Sequence, residues 1–261
     1  MNFKIVWITG ASSGIGKALA KTYLANGHKV IISARNKEAL EKFRMENGSE
    51  KNIYVLPLDL NDADSMLEKA QLAIQAFGKV DVLINNGGIS QRSLAADTTL
   101  EVDRKIMEVN FFGTVSLSKA ILPHFITNKS GHFGVVSSLV GKFGSPYRSA
   151  YAASKHALHG FFDSLRAEHF RDNVAVTMIC PGFISTQVSV NALTGDGSPL
   201  NEMDEAQAKG MSAEDCAKAI FKAMESKKEE VLIGGKERFA VYLKRLLPSV
   251  FSKIIKKAKV R

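Results

Sequence analysis

The chain has 261 residues, 45% hydrophobic and 23% charged, a balance that supports one sizeable globular core and argues against disorder. Its net charge of +9 is concentrated beyond residue 235, where nine Lys and Arg face only Glu237. The body is therefore nearly neutral, which excludes a broad phosphate-tracking surface for nucleic acid.

No apolar run approaches the roughly 20 residues that cross a bilayer. Cys180 and Cys216 are too few and too distant for a disulfide framework or a zinc site. The first strand runs at once into a glycine turn, with no length for a cleavable leader, so a cytoplasmic protein is expected. The histidines form no His-Glu-x-x-His pattern; His156 and His159 read as structural, and no metal is expected.

Apolar β-branched runs alternate with longer segments of helical period, as in a parallel sheet covered by helices on both faces. In chain order the reading is strand 4–8, helix 14–26, strand 29–33, helix 37–47, strand 53–58, helix 62–77 and strand 80–85. Helix 98–128, strand 133–138, helix 151–171, strand 174–180, helix 213–226 and strand 230–233 follow. That order predicts a single doubly wound α/β domain of the Rossmann type over residues 1–235, with seven parallel strands and right-handed crossovers. Ser212, followed by Glu214 and Asp215, predicts a capped start for the helix at 213. A substrate lid is expected over about 183–210, where Thr194-Gly195-Asp196-Gly197-Ser198-Pro199 carries turn chemistry.

Thr9-Gly10-Ala11-Ser12-Ser13-Gly14-Ile15-Gly16 joins the first strand to the first helix. Gly10 permits the sharp turn, Gly14 a close backbone approach to a pyrophosphate, and Gly16 tight packing of helix on strand; the helix N-terminus supplies donors to the anion. A plain strand-to-helix turn is the alternative. At the end of the second strand, where an acid would grip the ribose of NAD, stands Arg35, whose fork suits a 2′-phosphate; NADP is preferred over NAD, although a solvated Arg is common at a strand end.

Tyr151 and Lys155 stand four apart at the start of the fifth predicted helix, on one face. A nearby ammonium stabilises phenolate and lowers the Tyr pKa from about 10, making a proton donor; a half-buried Tyr beside a surface Lys is the plainer reading. Ser138 ends the fifth predicted strand, at the edge where such sheets bind ligands, and its hydroxyl could polarise a carbonyl; alternation turns Ser137 to the other face. Asn110 falls inside a long helix, where Asn is mildly unfavourable, which invites a functional reading beside that of a tolerated polar residue.

Taken in order with Asn85-Asn86-Gly87-Gly88 and Pro181-Gly182-Phe183-Ile184-Ser185-Thr186, these residues resemble the short-chain dehydrogenase/reductase family from residue 4 to about 233. The resemblance implies that Tyr151 donates the proton, Lys155 lowers its pKa and holds the nicotinamide ribose, Ser138 positions the carbonyl and Asn110 anchors a water. It also implies cofactor contacts from Gly10, Ser12, Ser13, Gly14, Ile15, Gly16 and Arg35. Asp59, with Leu60 beside it, is expected at the adenine, Asn86 in the groove, and Ile184 and Thr186 at the carboxamide. Gly87 replaces the usual Ala, and Ser13 replaces the basic residue of many NADP-specific members, so cofactor preference rests on Arg35. The runs 85–94 and 113–117 are similar to the membrane-anchored retinoid and steroid reductases called dehydrogenase/reductase member seven. Their N-terminal anchor has no counterpart here, so a soluble relative, a bacterial one among the candidates, with a different substrate is expected.

Beyond 235, Phe239, Leu243, Leu246, Leu247, Val250, Ile254 and Ile255 recur at roughly helical spacing among cations, interrupted by Pro248. A terminal helix packed over the substrate pocket is preferred to a membrane-surface segment. Leu139, Val140, Phe143 and Phe183 are expected at an apolar mouth suited to a lipid-like or alicyclic ketone, or else in the core. A 3-oxoacyl-thioester reductase is the competing enzyme, and a non-catalytic dinucleotide sensor the competing binding module. The resemblance also implies a homodimer or homotetramer built on helices 98–128 and 151–171, with Phe161, Phe162 and Leu165 as candidate contacts.

Overall fold

The computed structural model describes residues 3–258; Lys259 and Arg261 of the basic tail, and the first two residues, lie outside them. Seven parallel strands, β1 (Ile5–Thr9), β2 (Lys29–Ser33), β3 (Ile53–Val55), β4 (Val82–Asn85), β5 (Gly131–Val136), β6 (Val174–Pro181) and β7 (Glu230–Ile233), form one sheet in the order β3-β2-β1-β4-β5-β6-β7. Every residue of β1 is buried, as expected of a strand covered on both faces. Its alternate residues feed two cores, Ile5 and Trp7 joining Leu83, Phe125 and Phe133 on one side, Val6 and Ile8 joining Leu19, Val30 and Ile220 on the other. The chain reverses its winding between β1 and β4, which opens a crevice at their carboxyl ends.

The helices are α1 (Gly14–Ala25), α2 (Lys37–Asn47), α3 (Met66–Phe77), α4 (Leu100–Met107), α5 (Gly113–Thr127), α6 (Ser149–Glu168), α7 (Glu205–Ala208), α8 (Ala213–Glu225), α9 (Phe239–Leu246) and α10 (Pro248–Ile255). The sequence assignments hold for type and order, with instructive shifts. Helix 62–77 starts only at Met66, because Asp59 and Asp62 turn their carboxylates onto the amides of Asn61 and Ser65 and compete with the helix. The segment read as one helix, 98–128, is two, joined by a π-helical turn over Glu108–Phe112. There the Asn110 side chain leaves the helical pattern to bond the backbone of Ile89, and Gly113 lies so close to the Leu60 carbonyl that a Cβ would overlap it.

Two further expectations change. Phe162 and Leu165, proposed as subunit contacts, are buried in the chain's own core and cannot face a partner; Phe161 packs on Phe111. Pro248 interrupts the tail as expected, but the terminal helix expected there is two, α9 ending at Leu246 and α10 opening on Pro248, whose missing N–H has no helical partner to lose at that first position. Ser212 caps α8 by accepting from the amide of Asp215.

Candidate active site

The glycine turn between β1 and α1 is shaped for close approach. Gly10 and Gly14 have φ of 65° and 51°, left-handed values that favour glycine, and a Cβ on Gly16 would overlap the Gly10 carbonyl. Asn86, at the end of β4, donates from its side chain to the carbonyls of Thr9 (3.0 Å) and Gly10 (3.3 Å) and holds the turn in place. Ser13 makes no side-chain cap and the first turn of α1 carries no acid, so nothing anionic competes for the amides of that helix end. Thr186 lies against Gly14, and Ile184 beside it is buried. Arg35 is exposed at the end of β2, and Asp59 is exposed while Leu60 is buried against Gly87. These features fit a dinucleotide: a turn whose glycines leave its backbone open to close approach, a helix dipole at its end, and an exposed cation at the end of β2 suited to a ribose phosphate.

Next to this crevice, Ser138, Leu139, Val140, Phe143, Tyr151, Phe183, Leu243 and Phe251 line a cavity of about 270 Å³. β5 stops at Val136, and Ser138 is extended at the start of a short turn, its Oγ accepting from Val140 N at 3.3 Å. That places its hydroxyl in the cavity with the Tyr151 phenol, its Oγ donating to the Pro181 carbonyl at 3.4 Å. Ser137 turns away to the Lys155 carbonyl (3.2 Å) and His159 Nε2 (3.1 Å). Asn110 accepts from Ile89 N (2.8 Å) and donates to Ile89 O (2.9 Å) and to Ser154 Oγ (3.1 Å), joining the loop after β4 to α6.

The electrostatics correct one expectation. Lys155 was expected to draw the Tyr151 pKa down, but its Nζ donates to Val136 O at 2.9 Å and sits 5.8 Å from the centre of the phenol ring. Burial instead raises the Tyr151 phenol, opposed by the Arg92 charge, the Ser138 hydrogen bond and the Arg148 charge, in that order. Lys155 is itself pushed down to about 8 by burial, with Cys180 opposing.

Arg92, Arg148, Asp204 and Gln91 are the residues that sequence reasoning missed. Arg92 and Arg148 line the cavity with Tyr151, and Asp204 lies between them, 2.6 Å from Arg92 Nη2 and 3.2 Å from Arg148 Nη2. The available signal was their type alone: charged residues are almost never fully buried unless paired. The tail, by contrast, does cover the pocket: Ala240, Leu243, Phe251, Ile254 and Ile255 line it, while Glu237 accepts from Phe183 N (3.3 Å) and ties the tail to the start of the lid. The Thr194–Pro199 stretch is a bonded turn, with Thr194 Oγ1 2.6 Å from Asp196. Among the described residues no cluster of three or more His, Cys, Asp or Glu could hold a metal.

A phosphate-type cradle beside a hydroxyl–phenol–ammonium set, at the switch point of a doubly wound sheet, defines a nicotinamide-dependent oxidoreductase acting on CH–OH and C=O groups. Comparison with known proteins agrees. The family model described as short chain dehydrogenase matches residues 4–196. A dehydrogenase/reductase SDR family protein 7-like of Anopheles gambiae is 46% identical over 98% of this chain and 83% of its own, and the mouse SDR family member 7B is 44% identical over 96% and 80%. The chain belongs to the short chain dehydrogenase family. Among solved structures, a Burkholderia phymatum short chain dehydrogenase/reductase in complex with NAD superposes with a TM-score of 0.83 at 21% identity, covering 95% of both chains. A Thermococcus sibiricus alcohol dehydrogenase complexed with 5-hydroxy-NADP gives 0.75 at 25% identity, covering 90% of this chain and 97% of its own.

Proposed function

We propose that the chain is an NADP(H)-dependent oxidoreductase that interconverts an apolar ketone and its secondary alcohol, with Tyr151 as the acid and base. The observation that carries this reading is the Tyr151 phenol, half-buried and facing Ser138 in the wall of one apolar cavity beside the glycine turn. A bound nicotinamide supplies the hydride in reduction and accepts it in oxidation. In reduction the Ser138 and Tyr151 hydroxyls donate to the carbonyl oxygen, and as the carbon is reduced the Tyr151 proton passes to that oxygen, leaving phenolate. Lys155 anchors the end of β5 through Val136, its ammonium 5.8 Å from the centre of the Tyr151 ring. Asn110 keeps the loop after β4 in register with α6.

The NADP preference rests on Arg35. Replacing it with Glu puts a carboxylate where a 2′-phosphate would bind, and NADPH affinity falls by about ten- to a hundredfold while NADH affinity rises or holds. Fluorescence titration of both nucleotides checks this; unchanged NADPH binding removes Arg35 from the reading.

The cavity's aliphatic and aromatic lining favours a lipid-like or alicyclic ketone. A panel of cyclohexanone, benzil, phenanthrenequinone and acetoacetyl-thioester with each nucleotide tests the class. Thioester reduction well above the ketones would install the competing 3-oxoacyl reading, and no turnover of any member would favour a dinucleotide sensor. We place the enzyme in a reducing cytoplasm, consistent with two buried free thiols, and as a homodimer or homotetramer, which sedimentation of the full chain tests. The outward face of α9 and α10 exposes Phe239, Tyr242, Leu246, Leu247, Val250 and Ile254 among cations, which favours peripheral contact with an anionic lipid surface beside the pocket-cover role. Salt-sensitive sedimentation with anionic liposomes is its test.

A further inference from the structure

The loop after β4 is buried although it is polar: Ser90, Gln91, Arg92 and Ser93 are all nearly inaccessible, and their side chains make two separate sets of bonds. One set faces the catalytic helix. The first amides of α6 have no helical acceptor, and its own cap residue, Arg148, supplies no side-chain acceptor. Gln91 Oε1 takes that place from 59 residues away, accepting from Ala150 N at 3.0 Å and Tyr151 N at 3.4 Å. Its Nε2 is fixed in turn by Thr98 Oγ1 (2.8 Å), Ser93 Oγ (3.2 Å) and Ser149 Oγ (3.3 Å).

The other set faces the lid. Arg92 donates through Nε (2.7 Å) to Asp204 and through Nη1 to Ser90 Oγ (2.7 Å) and Gln91 O (2.6 Å). Asp204 opens α7 inside the lid segment, and its carbonyl accepts from Gln207 N and Ala208 N. The lid backbone pairs with the same loop, Arg92 N to Leu193 O at 2.8 Å and Leu193 N to Ser90 O at 2.9 Å. Asn110 grips the loop one residue earlier, at Ile89. Neighbouring residues of one short loop thus hold the lid and the backbone of the acid–base residue, with no slack between them.

We propose that Gln91 and Arg92 couple the lid to the catalytic helix: seating of Asp204 on Arg92 fixes the loop whose Gln91 holds the first turn of α6, and so sets the position of Tyr151. Gln91 is then a positioning residue, acting through the amides of Ala150 and Tyr151, and Asp204 is its remote control. The coupling rests on the reading of Tyr151 as acid and base for its catalytic consequence, but not for its structural one. A lid that closes over substrate would by this route complete the site at the moment of closure.

A double-mutant cycle on the full chain tests it, using Gln91→Ala and Asp204→Asn, with NADPH and phenanthrenequinone as probe. Each single variant lowers kcat by about tenfold, because displacement of a reacting group by a fraction of an ångström is felt directly in the rate. The double variant falls little further, since both break one linkage. Gln91→Glu restores most of the rate: its carboxylate keeps the acceptor for the helix amides, and the surrounding hydroxyls turn to donate.

Hydrogen exchange of the same proteins gives a readout that needs no substrate. Asp204→Asn speeds exchange at the amides of Ala150 and Tyr151; because Asp204 also accepts from Arg148, the cap residue of α6, at 3.2 Å, Arg92→Lys, which spares that contact, is measured beside it and gives the same result. If Asp204→Asn fails to fold, Arg92→Lys replaces it in both measurements. Independent effects that multiply in the double variant, or faster exchange confined to the lid with the α6 amides unchanged, overturn the coupling. Full activity of Tyr151→Phe would instead refute the acid–base reading and leave the exchange result standing.

Discussion

Tyr151→Phe lowers carbonyl reduction by about a hundred- to ten-thousandfold, the range that a positioned proton donor contributes, while NADPH still binds. The substitution removes one oxygen and keeps the ring, so packing in the cavity is retained and the loss falls on kcat. Stopped-flow reduction together with nucleotide titration separates the two; a variant that turns over normally ends the proposed chemistry.

The pH profile of the wild-type enzyme has a sign that the structure dictates. Reduction needs the protonated phenol, and burial raises the Tyr151 pKa above its ordinary value, so the donor persists through the neutral range. The first group to change on the alkaline side is Lys155, held down to about 8 by burial. As pH passes that value the ammonium that holds Val136 O beneath the site is lost, the end of β5 beside Ser138 loosens, and kcat/KM for reduction falls. Oxidation of an alcohol starts from phenolate and so gains as pH rises through the Tyr151 pKa, with the Arg92 and Arg148 charges bringing that rise to lower pH than burial alone would set. A reduction profile that already declines below neutrality contradicts this assignment.

The part of this arrangement that was legible in the sequence is the part carried by local spacing. Seven strands and their order follow from hydrophobic period, the cradle from three glycines between a strand and a helix, and the shared face of Tyr151 and Lys155 from a separation of four. Ser138 was distinguishable from Ser137 because strand alternation is local too. The π-helical turn at Asn110 was hidden because Glu108–Phe112 lies inside a long run of helical character, and one widened turn leaves no mark in the period. The direction of the Tyr151 shift was misread for another reason: spacing brings an ammonium near a phenol but says nothing of how far the folded chain desolvates each. The loop of Gln91 and Arg92 was beyond reach, since Arg92 and Asp204 are 112 residues apart and only the folded lid brings them together.

That same cluster makes Asp204 the position whose truncation should most damage the fold. Its side chain is 1% exposed, and the carboxylate takes Arg92 through two nitrogens and Arg148 through a third, so one anion serves two buried guanidinium groups. Burial already draws the Arg148 pKa down to about 10, a sign that the interior resists its charge, with Arg92 adding repulsion and Asp204 opposing both. Asp204→Ala leaves Arg92 with only neutral acceptors, Ser90 Oγ and Gln91 O, and sets it beside Arg148 without the shared anion. Removing one partner of a buried pair costs about 3–5 kcal/mol, against about 0–1 kcal/mol for an exposed one. The exposed pair Lys209–Glu205, on the same short helix, provides the internal control: Glu205→Ala removes an equally close contact at the surface and should hardly register. Urea unfolding of the two variants with NADPH absent measures the difference. Arg148, even drawn down to about 10, keeps its charge throughout the neutral range, so the Asp204→Ala deficit should stay constant between pH 6 and 8, whereas a loss that disappears on mild acidification would assign it to another group.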